Sequence, residues 1–198
     1  MKRILNMVML VCFAFLPLIG CGKNSDYKRG KLKENGFESK FLDIKFTLPE
    51  GFVMATEEDM LQMMGIGADI AGVDKKIVEL TTVYEMMAST ITGYPNVIVM
   101  VEKPLLSNIT IEQYFDAVKT SLLSLNNMDY AVEDEITSVE IAGYDYEQMT
   151  ASLPSLNIFQ NYIFRKQSGR MIGFITTYSL NTKQELDILM GGFSKLTD

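Results

Sequence analysis

Val97-Ile98-Val99-Met100-Val101 is apolar at every position. Side chains alternate across a strand, so a run that stays apolar at odd and even positions needs cover on both faces. A central strand with a layer above and a layer below is the simplest answer. The flanking sequence supplies both layers. Upstream, Val83 to Ser89 is separated from this run by Gly93-Tyr94-Pro95-Asn96, a turn sequence that makes the two segments a hairpin. Met86 and Met87 then point to opposite faces, one toward each layer. Downstream, Thr110-Ile-Glu-Gln113 is a capping box, followed by Ile111, Tyr114, Phe115, Val118, Leu122 and Leu125 at helical spacing.

The remaining elements follow from the same periodicities. Phe37 to Phe41 and Ile44 to Leu48 alternate and read as an antiparallel pair turning at Leu42-Asp43. Thr56 precedes Glu57, Glu58 and Asp59, an N-cap with acids suited to the positive end of a helix. That helix carries Met60, Leu61, Met63 and Met64 and is expected to break at Gly65-Ile66-Gly67. A second piece is expected from Ala68 to Ile77. Four strands are expected at Ile136 to Ala142, Tyr144 to Leu153, Ile158 to Arg165 and Met171 to Tyr178, the last pair turning at Ser168-Gly169. Thr182-Lys-Gln-Glu185 reads as a second capping box. It opens a closing helix with Leu186, Leu189, Met190 and Phe193 on one face and Gly191-Gly192 inside it, allowing close approach to the sheet. The predicted fold is α/β (α+β): a three-layer α/β/α sandwich built on a mostly antiparallel sheet.

The N-terminus carries an address. Lys2 and Arg3 precede an apolar run that ends in Leu18-Ile19-Gly20-Cys21, the pattern of a bacterial lipoprotein signal. Cleavage is expected between Gly20 and Cys21, with Cys21 as the lipid attachment site. Asn6 and Pro17 interrupt the run, which is shorter than the roughly 20 residues needed to span a bilayer. Cys12 lies inside the removed segment. A diacylglycerol supplies two chains and anchors stably where one would not. The expected organisation is a signal peptide over 1–20, a lipidated Cys21 with a flexible basic tether to residue 35, and a single domain over 36–198. The address would be extracytoplasmic and membrane-anchored, at the outer membrane if the cell is Gram-negative.

Composition narrows the chemistry. The chain has 198 residues, 18 Lys and Arg against 25 Asp and Glu, and no histidine. Losing Lys2 and Arg3 makes the mature chain more acidic still, which argues against nucleic acid as a partner. Cys21 is the only cysteine after cleavage, so no disulfide forms. Zinc or copper sites built on His or Cys are excluded, as are Ser-His-Asp triads and Cys-His dyads. No metal site and no cofactor are expected.

Candidate sites are few. Met60, Met63 and Met64 beside a glycine pair form the first candidate for ligand binding, because methionine adapts to varied partners; the same residues also fit a helix core face. Glu133-Asp134-Glu135 lacks the spacing of a calcium loop. Tyr144, Tyr146, Tyr162 and Tyr178 fit half-buried sheet positions, and Asn108-Ile-Thr110 fits helix capping.

Phe46-Thr-Leu-Pro-Glu-Gly-Phe52 after a short hairpin, the Val97–Pro104 strand, Ile141-Ala-Gly143 and the closing amphipathic helix together resemble the PsbP-like superfamily over residues 36–196. The superfamily includes an extrinsic photosystem II protein, a Ran-binding factor and many bacterial lipoproteins. Members often have Trp where this chain has Phe52. The resemblance implies the fold and a binding role without catalysis. The expected activity is that of a non-catalytic binding or adaptor module for another envelope component, its lipid holding it near a membrane and an envelope protein. Two other classes are weighed beside it: a carrier of an apolar ligand with the methionine segment as a lid, and a carboxylate-dependent hydrolase of envelope glycans.

Overall fold

A computed structural model describes residues 27–72, 74–104, 106, 108–125 and 128–197. Gly20, Cys21 and the cleavage point between them lie outside the described residues. The chain forms β1 (Lys31–Lys33), β2 (Gly36–Ser39), β3 (Ile44–Thr47), β4 (Phe52–Met54), α1 (Glu57–Ala71), α2 (Lys75–Thr81), β5 (Thr82–Thr90), β6 (Asn96–Glu102) and α3 (Ile111–Leu123). It continues through β7 (Ala131–Val132), β8 (Thr137–Ile141), β9 (Tyr144–Leu153), β10 (Ile158–Gln167), β11 (Arg170–Ser179), α4 (Lys183–Met190) and β12 (Phe193–Lys195).

The run Val97 to Val101 is a central strand. The main sheet has the order β4-β5-β6-β11-β10-β9-β7, with β8 paired on β9, and every pairing in it is antiparallel. Val97, Val99 and Val101 enter one core; Ile98 and Met100 enter the other. Met86 and Met87 divide in the same way. On one face α1, α2 and α3 contribute Met60, Met64, Val78, Tyr114, Phe115 and Val118.

The opposite face differs from the expected helix layer. There α4 contributes Leu186 and Leu189, but it shares the cover with a second, four-stranded sheet of order β1-β2-β3-β12 that supplies Phe37, Ile44, Phe46 and Phe193. Phe193 therefore belongs to a strand, paired opposite Phe46, and not to the closing helix. Gly191 ends α4, and Gly192 lies just beyond it. A Cβ at Gly192 would stand 2.6 Å from the Phe46 ring and 2.6 Å from the Thr47 carbonyl oxygen, so the close approach is to β3.

The expected tether also needs correction, because the folded domain begins before residue 36. Lys31–Lys33 pairs with β2, and the chain ahead of it lies against β5. Thr110 accepts from the Gln113 backbone N–H and donates its own N–H to the Gln113 side chain, completing the expected capping box, and the expected N-cap Thr56 forms a box with Asp59 in the same way. The box expected at Thr182–Glu185 is not formed: the box lies three residues earlier, at Ser179–Thr182, and Thr182 makes no side-chain cap to α4. Gly65 and Gly67 do not break α1, which runs on to Gly72, whose left-handed backbone (φ 67°) ends it. Two hairpins close through two-residue turns with both φ positive, Ala142-Gly143 and Ser168-Gly169, the geometry that matches strand twist.

Candidate functional site

At the turn end of the β5–β6 hairpin a half-enclosed cavity of about 230 Å³ opens between α1, β4 and the turn. Val53 and Met54 of β4, Met63 of α1, Met87 and Ser89 of β5, and Ile91, Tyr94 and Asn96 of the turn are among its walls. The lining is mostly apolar, and the turn that forms one wall is braced internally. Thr90 Oγ1 donates to the Tyr94 carbonyl at 2.7 Å, Asn96 Nδ2 donates to the Gly93 carbonyl at 2.8 Å, and Gly93 N donates to the Thr90 carbonyl at 3.0 Å. The wall is thus preformed. Asn96 is 1% exposed, and its Oδ1 accepts no hydrogen bond among the described residues. Asp59 stands on the rim. Bonds from the Thr56 hydroxyl and backbone N–H hold its carboxyl below the usual range, so the rim carries a negative charge.

The methionine trio is divided. Met63 is half-buried in the wall of this cavity. Met60 and Met64 are buried in the core beneath α1 and line a second, more open cleft of about 220 Å³ with Arg29, Leu61 and Thr82. The four tyrosines do not share a groove. Tyr144 donates to Asp43 at 2.7 Å and packs with Arg165, whose guanidinium lies 4.2 Å from its ring centre. Arg165 lies 5.1 Å from the Tyr146 ring centre; Tyr162 donates to Gln160, and Tyr178 stacks on Phe159. In the acidic triplet, Asp134 pairs with Lys119 at 2.5 Å. Among the described residues no three Asp, Glu, His or Cys side chains are grouped to hold a metal ion. No described helix is long and apolar enough to cross a membrane.

Two acids inside apolar strands escaped the sequence reading. Glu85 of β5 is fully buried; Tyr27 donates its hydroxyl to one carboxylate oxygen at 2.5 Å and Gly30 N donates to the other at 2.7 Å. Burial raises the Glu85 pKa against the lowering effect of these bonds, and burial together with the Glu85 bond raises that of Tyr27. Glu102 of β6, 4% exposed, accepts from the Tyr114 hydroxyl at 2.6 Å. Burial pushes its pKa up to about 7 despite that bond, and burial likewise raises Tyr114. The signal for both was present, since a lone carboxylate in an apolar run must be neutral or partnered. The turn residues Ile91, Tyr94 and Asn96 also went unread as a site. Ile91 carried the signal, an apolar side chain placed on a turn and 87% exposed.

No family model matches the chain, and no curated protein matches it. Among solved structures, the chain is similar to the solution structure of cyanobacterial PsbP (CyanoP) from Synechocystis sp. PCC 6803. The TM-score is 0.47 at 12% identity, with 90% of this chain and 99% of that chain covered. The likeness is one of architecture, and no residue role comes with it.

Proposed function

We propose that the chain is a lipid-anchored envelope binding protein that grips an apolar side chain of a partner protein in the cavity between α1 and the β5–β6 turn. The cavity carries this reading: about 230 Å³, mostly apolar, and walled by a braced turn. Small-molecule pockets run from roughly 300 to 1,000 Å³, and a lipid carrier needs the upper part of that range or more. A single bulky residue is a better fit in size. Methionine at positions 54, 63 and 87 gives walls that adapt to a side chain's shape. The ionised Asp59 on the rim favours a partner residue flanked by a cation.

The lipid on Cys21 would confine the domain to a thin layer and raise its effective concentration for membrane partners, so a modest affinity suffices. Cys21→Ser is expected to abolish acylation and release the protein from the membrane fraction; a variant that stays there overturns the anchor. Affinity capture from crosslinked cells then tests the cavity. A single stoichiometric protein should be recovered with the wild-type chain and lost with Met63→Asp. Equal recovery with both overturns the assignment of the site, and extracted lipid in place of a protein supports the carrier reading.

A further inference from the structure

The two ends of the main sheet are not equivalent with respect to the anchor, and their geometry sets how the domain stands. Tyr27 is fixed to Glu85, with its ring edge-on to Phe41 at 5.1 Å and the Arg170 guanidinium 4.5 Å from the ring centre. Arg170 opens β11 just after the Ser168-Gly169 turn, at the end of the sheet where Met171 pairs with Glu102 and Thr82 with Glu102. The chain thus leaves the folded domain at the end opposite the β5–β6 turn that walls the cavity. Only residues 22–26 separate Cys21 from Tyr27, a reach of at most roughly 20 Å when fully extended. From Glu85 to the cavity end of β5 is itself about 17 Å. Turning the cavity toward the bilayer would require nearly all of that reach.

The near end carries unpaired apolar surface. Arg29, two residues after Tyr27, bonds to the Tyr84 carbonyl and lines the same cleft as Leu61, Glu79 and Thr82. Beside that cleft α2 buries only Val78, leaving Leu80 84% and Ile77 43% exposed; Leu61 is 60% exposed. A short helix that presents apolar side chains beside a lipid attachment point has the bilayer as its nearest apolar phase.

We infer that the domain stands on its membrane on the end where α2 meets β5, with Ile77 and Leu80 seated at the headgroup–acyl boundary and the cavity facing away. The inference rests on lipidation at Cys21. It gives the cavity a direction: the partner's apolar residue arrives from the side remote from the anchoring bilayer. Lys28 and Lys31, both exposed, follow Tyr27 closely in the chain and add attraction to anionic headgroups.

The test uses the acylated full-length mature protein in vesicles of phosphatidylethanolamine and phosphatidylglycerol that carry nitroxide-labelled acyl chains. A fluorophore is attached at Leu80→Cys or, in a second protein, at Thr92→Cys on the cavity rim. Lipid occupies the Cys21 thiol, so each protein takes one label. The label at position 80 should lose most of its emission to the nitroxide lipid and the label at 92 almost none. Quenching at both positions, at neither, or at 92 alone overturns the orientation. The mass of the N-terminal peptide separates two kinds of failure. A peptide without lipid removes the anchor and the orientation together, whereas a lipidated peptide with no quenching at 80 removes the orientation and leaves the anchor standing.

Discussion

The two ends of the β5–β6 hairpin bury polar groups of different kinds, acids held by tyrosines at one and an amide at the other. At the end shared by Thr82 and Glu102, the buried carboxylates of Glu85 and Glu102 are each held by a tyrosine hydroxyl, and the chain from Tyr27 to Lys33 is strapped across the surface. At the turn end, a buried Asn96 oxygen accepts nothing among the described residues and an apolar cavity stays open beside it. Hydroxyl bonds to two buried acids and a strap across the surface organise the first end for cohesion, while Thr82 Oγ1 there, like Asn96 Oδ1, has no hydrogen-bond partner among the described residues. The second retains an open apolar surface, which is what a binding site needs. The cohesive contacts and the cavity proposed for recognition thus lie at opposite ends of one pair of strands.

Substitutions sort along that axis. Tyr27→Ala removes a donor to a buried carboxylate along with the packing against Phe41, and should lower unfolding free energy by about 3 kcal/mol in urea titration. A loss below about 0.5 kcal/mol would mean that residues 27–33 are a loose tether after all.

Glu102 gives the same end a pH dependence with a definite sign. Burial raises the pKa of its carboxyl in the folded protein to about 7, from the ordinary 4.5, so the native state holds a proton that the unfolded state has already released. The stability linked to this group is fully present below about pH 4.5, falls as pH rises, and levels off above about pH 7. Glu85 is shifted in the same direction. Between about pH 5 and 8 the wild type should lose on the order of 2 kcal/mol more than Glu102→Gln, as read from urea midpoints at each pH. Identical slopes would remove Glu102 from the account.

Thr56→Ala takes away the cap of α1, the helix that supplies Met63 to the cavity, and should cost about 1 kcal/mol of stability. Thermal unfolding checks it directly, and a cost near zero would leave that helix held by packing alone. The smallest effect belongs to the turn end. Ile91→Asp alters a side chain exposed to solvent and should change stability by about 0.5 kcal/mol or less, while removing most partner capture. Should it destabilise as much as Tyr27→Ala, the two ends would not differ in kind.

Sequence periodicity carried the architecture because both faces of β6 are apolar and the capping box at Thr110 and the N-cap at Thr56 mark the starts of α3 and α1. It failed where a signal was shared between structures. Leu186, Leu189, Met190 and Phe193 fit one helical face, yet Gly192 can lie against Phe46 only if the helix has already ended, and Phe193 then starts a strand. The glycines of α1 looked like a break, but Met60, Met64 and Ala68 bury one continuous stripe through them, and that packing outweighs glycine's propensity. Residues 27–33 looked like a tether because Glu85, the side chain that holds Tyr27 and Gly30, is distant in sequence. The cavity was half legible. Met63 was marked by its composition, whereas Val53, Ile91 and Asn96 come together only through the hairpin and no local pattern joins them.

The most direct measurement places a photoreactive amino acid at position 91 on the cavity rim and, in a second strain, at position 123, where Leu123 is 55% exposed on α3. Illumination of intact cells should give a single protein adduct from position 91, lost when Met63→Asp is added, and none from position 123. Equal adducts from both positions, or an adduct at 91 that survives Met63→Asp, would contradict the assignment of the cavity as the binding site.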